Sequence, residues 1–187
     1  MHRTRDFDRV VVDASPFFRF GSAGYLINLV SYVGPKLVIA RSVENELERN
    51  ANDQRFAFLR ALQLVQPPID VIDLTSDRLE AARDQARAKQ KPGDHPNTHL
   101  GETQTAYLAD QLGADVVIVI GEDDLLKKLA KNKLGLARLS TAQLAAEMVV
   151  AGALSRVEGE VVYVSAGGDA QHLFNTLKQV TEAAARP

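Results

Sequence analysis

The sequence predicts an α/β protein, an open parallel sheet of about five strands with helices on both faces. Three observations carry this. Apolar, largely β-branched runs recur at residues 10–12, 37–40 and 116–120, continuous rather than alternating, as strands buried on both faces require. Helical patterns separate them, so that strand and helix alternate at least five times along the chain, the order of a parallel sheet covered by helices. Acidic residues also stand just past the strand ends, where open parallel sheets gather their functional groups.

Each element has its own signal. Strands are expected at about Arg9–Asp13, Leu37–Ala40, Val71–Asp73, Asp115–Ile120 and Ala137–Leu139, with the first strand central. Ser15 followed by Pro16 reads as a helix start, hydroxyl at the N-cap and proline at the first helical position. A helical apolar face from Tyr25 to Val30 stops near Gly34-Pro35, and Ser42 is placed to cap a helix from about Val43 that runs on until Pro67-Pro68. Thr75 or Ser76 caps a polar helix to Lys89, and residues 91–97 form a loop by composition. Thr103 to Leu112 is helical, Asp124 to Lys133 is a short helix ended by Gly135, and Thr141 caps a helix to about Leu154. The run Val161-Val162-Tyr163-Val164 reads as a further strand, followed by a glycine-rich turn and a helix from about Ala170. The expected organisation is one domain over residues 1–150 and a C-terminal extension, 151–187, of strand plus helix packed on it.

The bulk composition narrows the function classes. With 45% hydrophobic and 25% charged residues over 187 positions, the chain is an ordinary globular domain. A net charge of -2 makes it no electrostatic glove for nucleic acid, so a polyanion partner needs a local basic patch. The absence of cysteine excludes disulfides, thiolate metal sites and a cysteine nucleophile. No apolar run follows the first charged residues as in a signal peptide, and none approaches the roughly 20 residues that span a bilayer. The expectation is a cytoplasmic protein without membrane contact.

The acids carry the chemistry. Asp13 ends the first strand, Glu44, Glu46 and Glu48 follow the second, Glu102 opens a helix, and Asp123 and Asp124 follow the fourth strand. Each has a plain structural reading: Asp13 as a helix cap, the others as acids favoured near helix N-termini or solvated on a helix face. Converging carboxylates, by contrast, repel one another unless a cation neutralises them, and oxygen ligands without His or Cys suit Mg²⁺ or Mn²⁺.

The segment VVVDASPFFRFGSAGYLINL, residues 10–29, resembles the opening of PIN-domain proteins. KLVIARSVENELER, residues 36–49, is similar to their second strand with its Glu-Leu pair. HLGETQTAYLADQLGADVVIVIGEDDLLKKLAKNKLGL, residues 99–136, resembles their Gly-Glu helix, buried strand and trailing acids. The resemblance covers about Arg9 to Met148, and the Ser-Pro and Gly-x-Leu-x-x-Leu features resemble a toxin-like branch of the family.

The resemblance implies a PIN-like α/β/α sandwich and a Mg²⁺- or Mn²⁺-dependent endoribonuclease that hydrolyses RNA phosphodiester bonds, acting as the toxin of a toxin–antitoxin pair. It implies Asp13, Glu46, Glu102 and Asp123 as catalytic, metal-binding acids, with Asp124 a rival to Asp123 and Ser15 assisting beside Asp13. An RNA-processing nuclease without antitoxin, or a binding module with an idle metal site, are the alternatives. Gly121 stands where many relatives carry Thr or Ser. A phosphatase using Asp13 as nucleophile lacks the second Asp of that chemistry.

Positive charge for RNA is offered by Lys127, Lys128, Lys131 and Lys133, with Arg138 nearby, and by Arg83, Arg87, Lys89 and Lys91; a solvated helix face is the plain reading of both groups. Phe17, Phe18 and Phe20 are candidates for stacking on bases, or for the core. PIN proteins commonly pair, and Phe17, Phe18 and Tyr25 suggest an apolar face for a homodimer. His95 and His99 flank the approach to Glu102. Ser165-Ala166-Gly167-Gly168 lacks the fuller motif of a phosphate loop and reads as a turn.

Overall fold

The computed structural model describes residues 3–95, 98–113, 115–121, 126, 128–129, 134–165 and 177. Its centre is a five-stranded sheet, β1 (Arg9–Val12), β2 (Leu37–Ala40), β3 (Asp70–Ile72), β4 (Val117–Ile120) and β5 (Ala137–Leu139), in the order β3-β2-β1-β4-β5. Every neighbouring pair is parallel, with Arg9 opposite Val117, Val10 opposite Leu37, Val38 opposite Asp70 and Ile118 opposite Ala137. Helices pack around the sheet, completing the expected α/β/α arrangement. The three middle strands consist almost wholly of Val, Ile, Leu and Ala with no exposed face, whereas β3 and β5 at the edges are only partly covered. Continuous apolar runs are therefore central strands here, because both of their faces lie under helices.

Helix α1 (Ala14–Ser22) begins immediately after β1, one residue before the expected Ser15 cap. Asp13 takes the N-cap position but its side chain makes no capping bond. Its own backbone N–H still completes the ladder to the Ile120 carbonyl at 2.9 Å, so strand turns into helix without a linker. Pro16 falls in the first turn, where its missing N–H leaves no helix bond unmade. Helix α2 spans Leu26–Val33. Helix α3 (Arg41–Ala51) starts two residues before the expected Val43, with Ala40 rather than Ser42 at its N-cap.

The expected continuation of that helix to Pro67 is not observed. The chain breaks at Asn52-Asp53 and runs as 3-10 turns over Gln54–Leu64, kinked at Phe56. Asp53 causes the break, accepting the Arg55 backbone N–H at 2.9 Å and its guanidinium as well, the local side-chain-to-backbone bonding by which Asp competes with helix.

Helix α4 is Ser76–Arg87 and α5 is Leu100–Leu112. Beginning three residues earlier than expected, α5 carries Glu102 in its first turn. Helix α6 (Thr141–Val150) is capped by Ser140, not Thr141, through a reciprocal capping box with Gln143. Its buried Glu147 accepts the Thr4 backbone N–H at 3.1 Å and the Tyr32 hydroxyl at 2.9 Å, and the Thr4 hydroxyl besides, binding the first turn of the chain to the last third.

The expected strand at Val161–Val164 is corrected to helix α7, Arg156–Ser165. Ser155 and Glu158 cap it reciprocally, the Glu158 carboxylate accepting the Ser155 N–H at 2.6 Å and the Ser155 hydroxyl oxygen accepting the Glu158 N–H at 3.3 Å. Gly159, Val162 and Tyr163 then form one buried stripe at helical spacing, leaving Val157, Val161 and Val164 outside. Gly159 makes the contact with α6 possible, since a Cβ there would lie 2.1 Å from Val149 Cγ2. Thus 151–165 packs on α1 and α6, and the expected turn and helix beyond Ser165 lie outside the described residues apart from Leu177. No helix among the described residues is long and apolar enough to cross a membrane.

Candidate active site

The end of β1, the middle of α3 and the first turn of α5 bring three of the expected acids into one neighbourhood. Asp13 leaves the carboxyl end of the central strand and is 4% exposed. Ser15, in the first turn of α1, donates its hydroxyl to Asp13 Oδ2 at 3.2 Å. The other oxygen, Oδ1, lies 3.5 Å from the hydroxyl of Thr105 on α5, which itself bonds the Gly101 carbonyl at 2.9 Å. Burial pushes the Asp13 carboxyl up to about 7; Glu102 and Glu46 add to the rise, opposed by the Ala14 backbone N–H and the Ser15 hydroxyl. Glu46 is also raised, by burial first and then by Glu102, with Arg49 opposing. Mutual repulsion of this kind means that the three carboxylates share one electrostatic site.

Helix geometry explains the choice of Glu46. Glu48 is exposed and Glu44 pairs with Arg41, whereas Glu46 faces α5, where a Cβ on Gly101 would stand 3.4 Å from its Oε2. Glu102 is one residue further along α5, and His99 Nδ1 is 3.8 Å from Glu102 Oε1, too far for a hydrogen bond. His99 holds a left-handed backbone, φ 68°, at the N-cap of α5. His95 is exposed in its loop.

Asp123 and Asp124, the fourth expected ligand and its rival, lie outside the described residues, as do Lys127, Lys131 and Lys133. Gly121, two residues before Asp123 in sequence, abuts the site directly: a Cβ on it would lie 3.0 Å from Asp13 Cβ and 3.5 Å from Asp13 Oδ2. Arg138 donates to the Gly121 carbonyl at 2.9 Å, holding a positive charge at the end of β4. Lys128 is exposed. Arg87 is exposed at the end of α4, 3.6 Å from Asp84, an arrangement that fits the plain reading of a solvated face.

The oxygen-only donor set is of the kind that suits a hard divalent cation. Among the described residues no three acid or histidine side chains are grouped closely enough to hold a metal ion.

Thr105 was not signalled as a site residue by its type. Its spacing is the available clue, because it lies three residues after Glu102 and shares its helix face. A larger apolar groove of about 710 Å³, lined by Ile27, Val30, Leu64, Val65, Pro67 and Ile69, touches none of the acids and lies toward the amino ends of β2 and β3.

The phenylalanines divide. Phe17 and Phe20 are fully buried core residues, and Phe18 is half-buried with its ring edge-on to Phe56 at 5.1 Å. Tyr25 precedes α2 rather than sharing α1, so Phe17, Phe18 and Tyr25 form no common exposed face of the kind expected for pairing. Comparison with known protein families, with curated proteins and with solved structures finds no match for this chain.

Proposed function

We propose that this chain is a PIN-type, Mg²⁺- or Mn²⁺-dependent endoribonuclease, of the kind that serves as the toxin of a toxin–antitoxin pair. One observation carries the reading: Asp13, Glu46 and Glu102 converge at the carboxyl end of the central strand, where Asp13 is held near pH 7 by burial and by its two neighbours. A site made for general structural purposes has no reason to bury a carboxylate against two others.

Asp13, Glu46 and Glu102 would hold the divalent ion, which would supply positive charge to stabilise an in-line displacement at phosphorus. The residues of the chain orient that set. Ser15 fixes Oδ2 of Asp13, Thr105 stands against Oδ1, and α5 brings Glu102 and Thr105 in on one face. With one oxygen bonded by Ser15 and 4% exposure, Asp13 is suited to holding an ion and poorly presented as a nucleophile toward phosphorus.

Incubation of a mixed RNA pool with the protein and Mn²⁺ tests the reading. The wild type should cleave, Asp13→Asn should not, and a chelator should abolish cleavage by the wild type. Metal-dependent cleavage that survives Asp13→Asn would remove the reading.

A further inference from the structure

A second cavity adjoins the acids on the side away from β4. It is a cleft of about 400 Å³ between α1, α3, the 3-10 segment and Ser165 at the end of α7, within the range of roughly 300–1,000 Å³ typical of small-ligand sites. Its rim is set by helical periodicity. Ser15, Phe18, Arg19 and Ser22 line it from α1, spaced as one face of a helix, while Phe17 and Phe20 turn to the core. Glu46 and Asn50, four residues apart, line it from α3, with the Asn50 amide donating to the Glu46 carbonyl at 2.8 Å. Phe56, from the kinked 3-10 segment, closes the far wall against Phe18.

Two residues therefore belong both to the acid site and to the cleft. Ser15 bonds Asp13 and lines the cleft; Glu46 is one of the three acids and lines it too. The cleft meets the acid site at these two residues, and its character changes along its length. Near the acids it offers a hydroxyl and a carboxylate, further out a guanidinium, an amide and a second hydroxyl, with two aromatic rings as its wall. Arg19 is exposed, bonds the Ser165 carbonyl at 2.6 Å and pairs with no carboxylate among the described residues.

Resting on the nuclease reading, we infer that this cleft seats the nucleotide next to the scissile bond. The Arg19 guanidinium takes its phosphate, as a planar fork suits phosphate oxygens. Ser22 and Asn50 hydrogen-bond sugar or base edges, and the base lies on the wall formed by Phe18 and Phe56, the combination of cation and aromatic surface that holds single strands. A duplex does not fit this arrangement, because its bases are not free to turn into a cleft of this size.

The test is binding of a labelled single-stranded RNA to the full chain carrying Asp13→Asn, followed by fluorescence anisotropy across a salt series. Adding Arg19→Gln should weaken binding about tenfold and lower the slope of log affinity against log salt by about one, as loss of one phosphate contact does. Arg5→Gln, an exposed arginine before β1, is the control and should change affinity far less. Arg19→Lys should recover part of the loss. Because Phe56 also packs against the core, Asn50→Ala serves as the second cleft variant and should weaken binding without lowering the melting temperature.

Equal affinities for Arg19→Gln and Arg5→Gln, or duplex RNA binding as tightly as single-stranded RNA, would overturn the inference. The nuclease reading is scored separately, by cleavage with Mn²⁺. Cleavage by the wild type with Arg19-independent binding refutes the cleft alone, whereas Arg19-dependent binding without any cleavage refutes the nuclease and leaves a single-strand binding cleft.

Discussion

Gly121 presses against Asp13 so closely that a Cβ on the glycine would stand 3.0 Å from the Asp13 Cβ and 2.4 Å from Leu126 Cδ2. The tip of Leu126 can swing aside, but the Asp13 Cβ is anchored by the β1–β4 ladder. Gly121→Ala should therefore destabilise the protein by about 1–3 kcal/mol, as overpacking of an interior does. A chain of this length loses roughly 2–4 °C of melting temperature per kcal/mol, so calorimetry reads the effect directly. An unchanged melting temperature would mean that the two strand ends separate freely.

Asp13 should make the metal-free protein less stable as pH rises. Its folded carboxyl titrates near 7 against 3.8 for the ordinary group, so the folded chain binds the proton more tightly than the unfolded one. Stability is then full below about pH 4 and declines through pH 7, by on the order of a few kcal/mol. In chelator at about pH 8, Asp13→Asn should melt higher than wild type, with the gap closing toward about pH 5 as wild type regains its proton. Added Mn²⁺ should stabilise the wild type far more than the variant. A flat pH profile for the wild type would contradict the shared charge of the site.

Thr105→Val removes a buried hydroxyl and leaves the Gly101 carbonyl without its 2.9 Å bond. Cleavage should fall by about 10–100-fold, the usual effect of losing a group that orients a ligand, while the fold survives. Thr105→Ser keeps the hydroxyl and should retain most of the activity. Equal activity in Thr105→Val and wild type would reduce this residue to packing.

Glu46→Gln should abolish cleavage, whereas Glu48→Gln, on the exposed side of α3, should leave it close to wild type. The reverse result would place the functional face of α3 on its solvent side. Cleavage rates at saturating Mn²⁺ decide between the two.

Glu147 is a stability residue at a distance from the acids. Burial and the neighbouring Glu147 carboxylate push the Tyr32 phenol above its ordinary range, in keeping with a bond donated to that carboxylate. Glu147→Ala strips the partner from the Thr4 N–H and from the Tyr32 hydroxyl, each loss worth about 1–3 kcal/mol when the donor stays buried. The variant should melt several degrees lower and cleave normally at low temperature. Lost cleavage in a fully folded variant would show that this clasp also shapes the site.

Much of this was legible in the sequence, for a physical reason. β1, β2 and β4 are buried on both faces, so their strands appear as unbroken apolar runs, and two of the acids, Asp13 and Glu46, follow from the strand ends they define. Val161–Val164 was misread because β-branched residues favour strands only where a pleated surface waits for them. There the Ser155–Glu158 box and the Val162–Tyr163 stripe against Val149 decided for helix. The break at Asp53 depended on which side chain captures which N–H, which spacing alone does not reveal. Arg19 and Asn50 were hidden for another reason: residues on helices α1 and α3 face each other only once both helices lie across the sheet.

The sheet order also sets a timetable. During synthesis β1 and β2 leave the ribosome early and can pair, but the other side of β1 waits for Ile118 and Ile120. Until then a growing chain exposes a bare, valine-rich strand edge, the kind of template that recruits strands from other molecules. Glu102 arrives on the segment just before that missing partner, so Asp13 and Glu46 are made long before the third acid joins them. A product cut short ahead of α5 therefore holds two of the acids on an unfinished sheet: it gains a surface prone to aggregation and lacks the site.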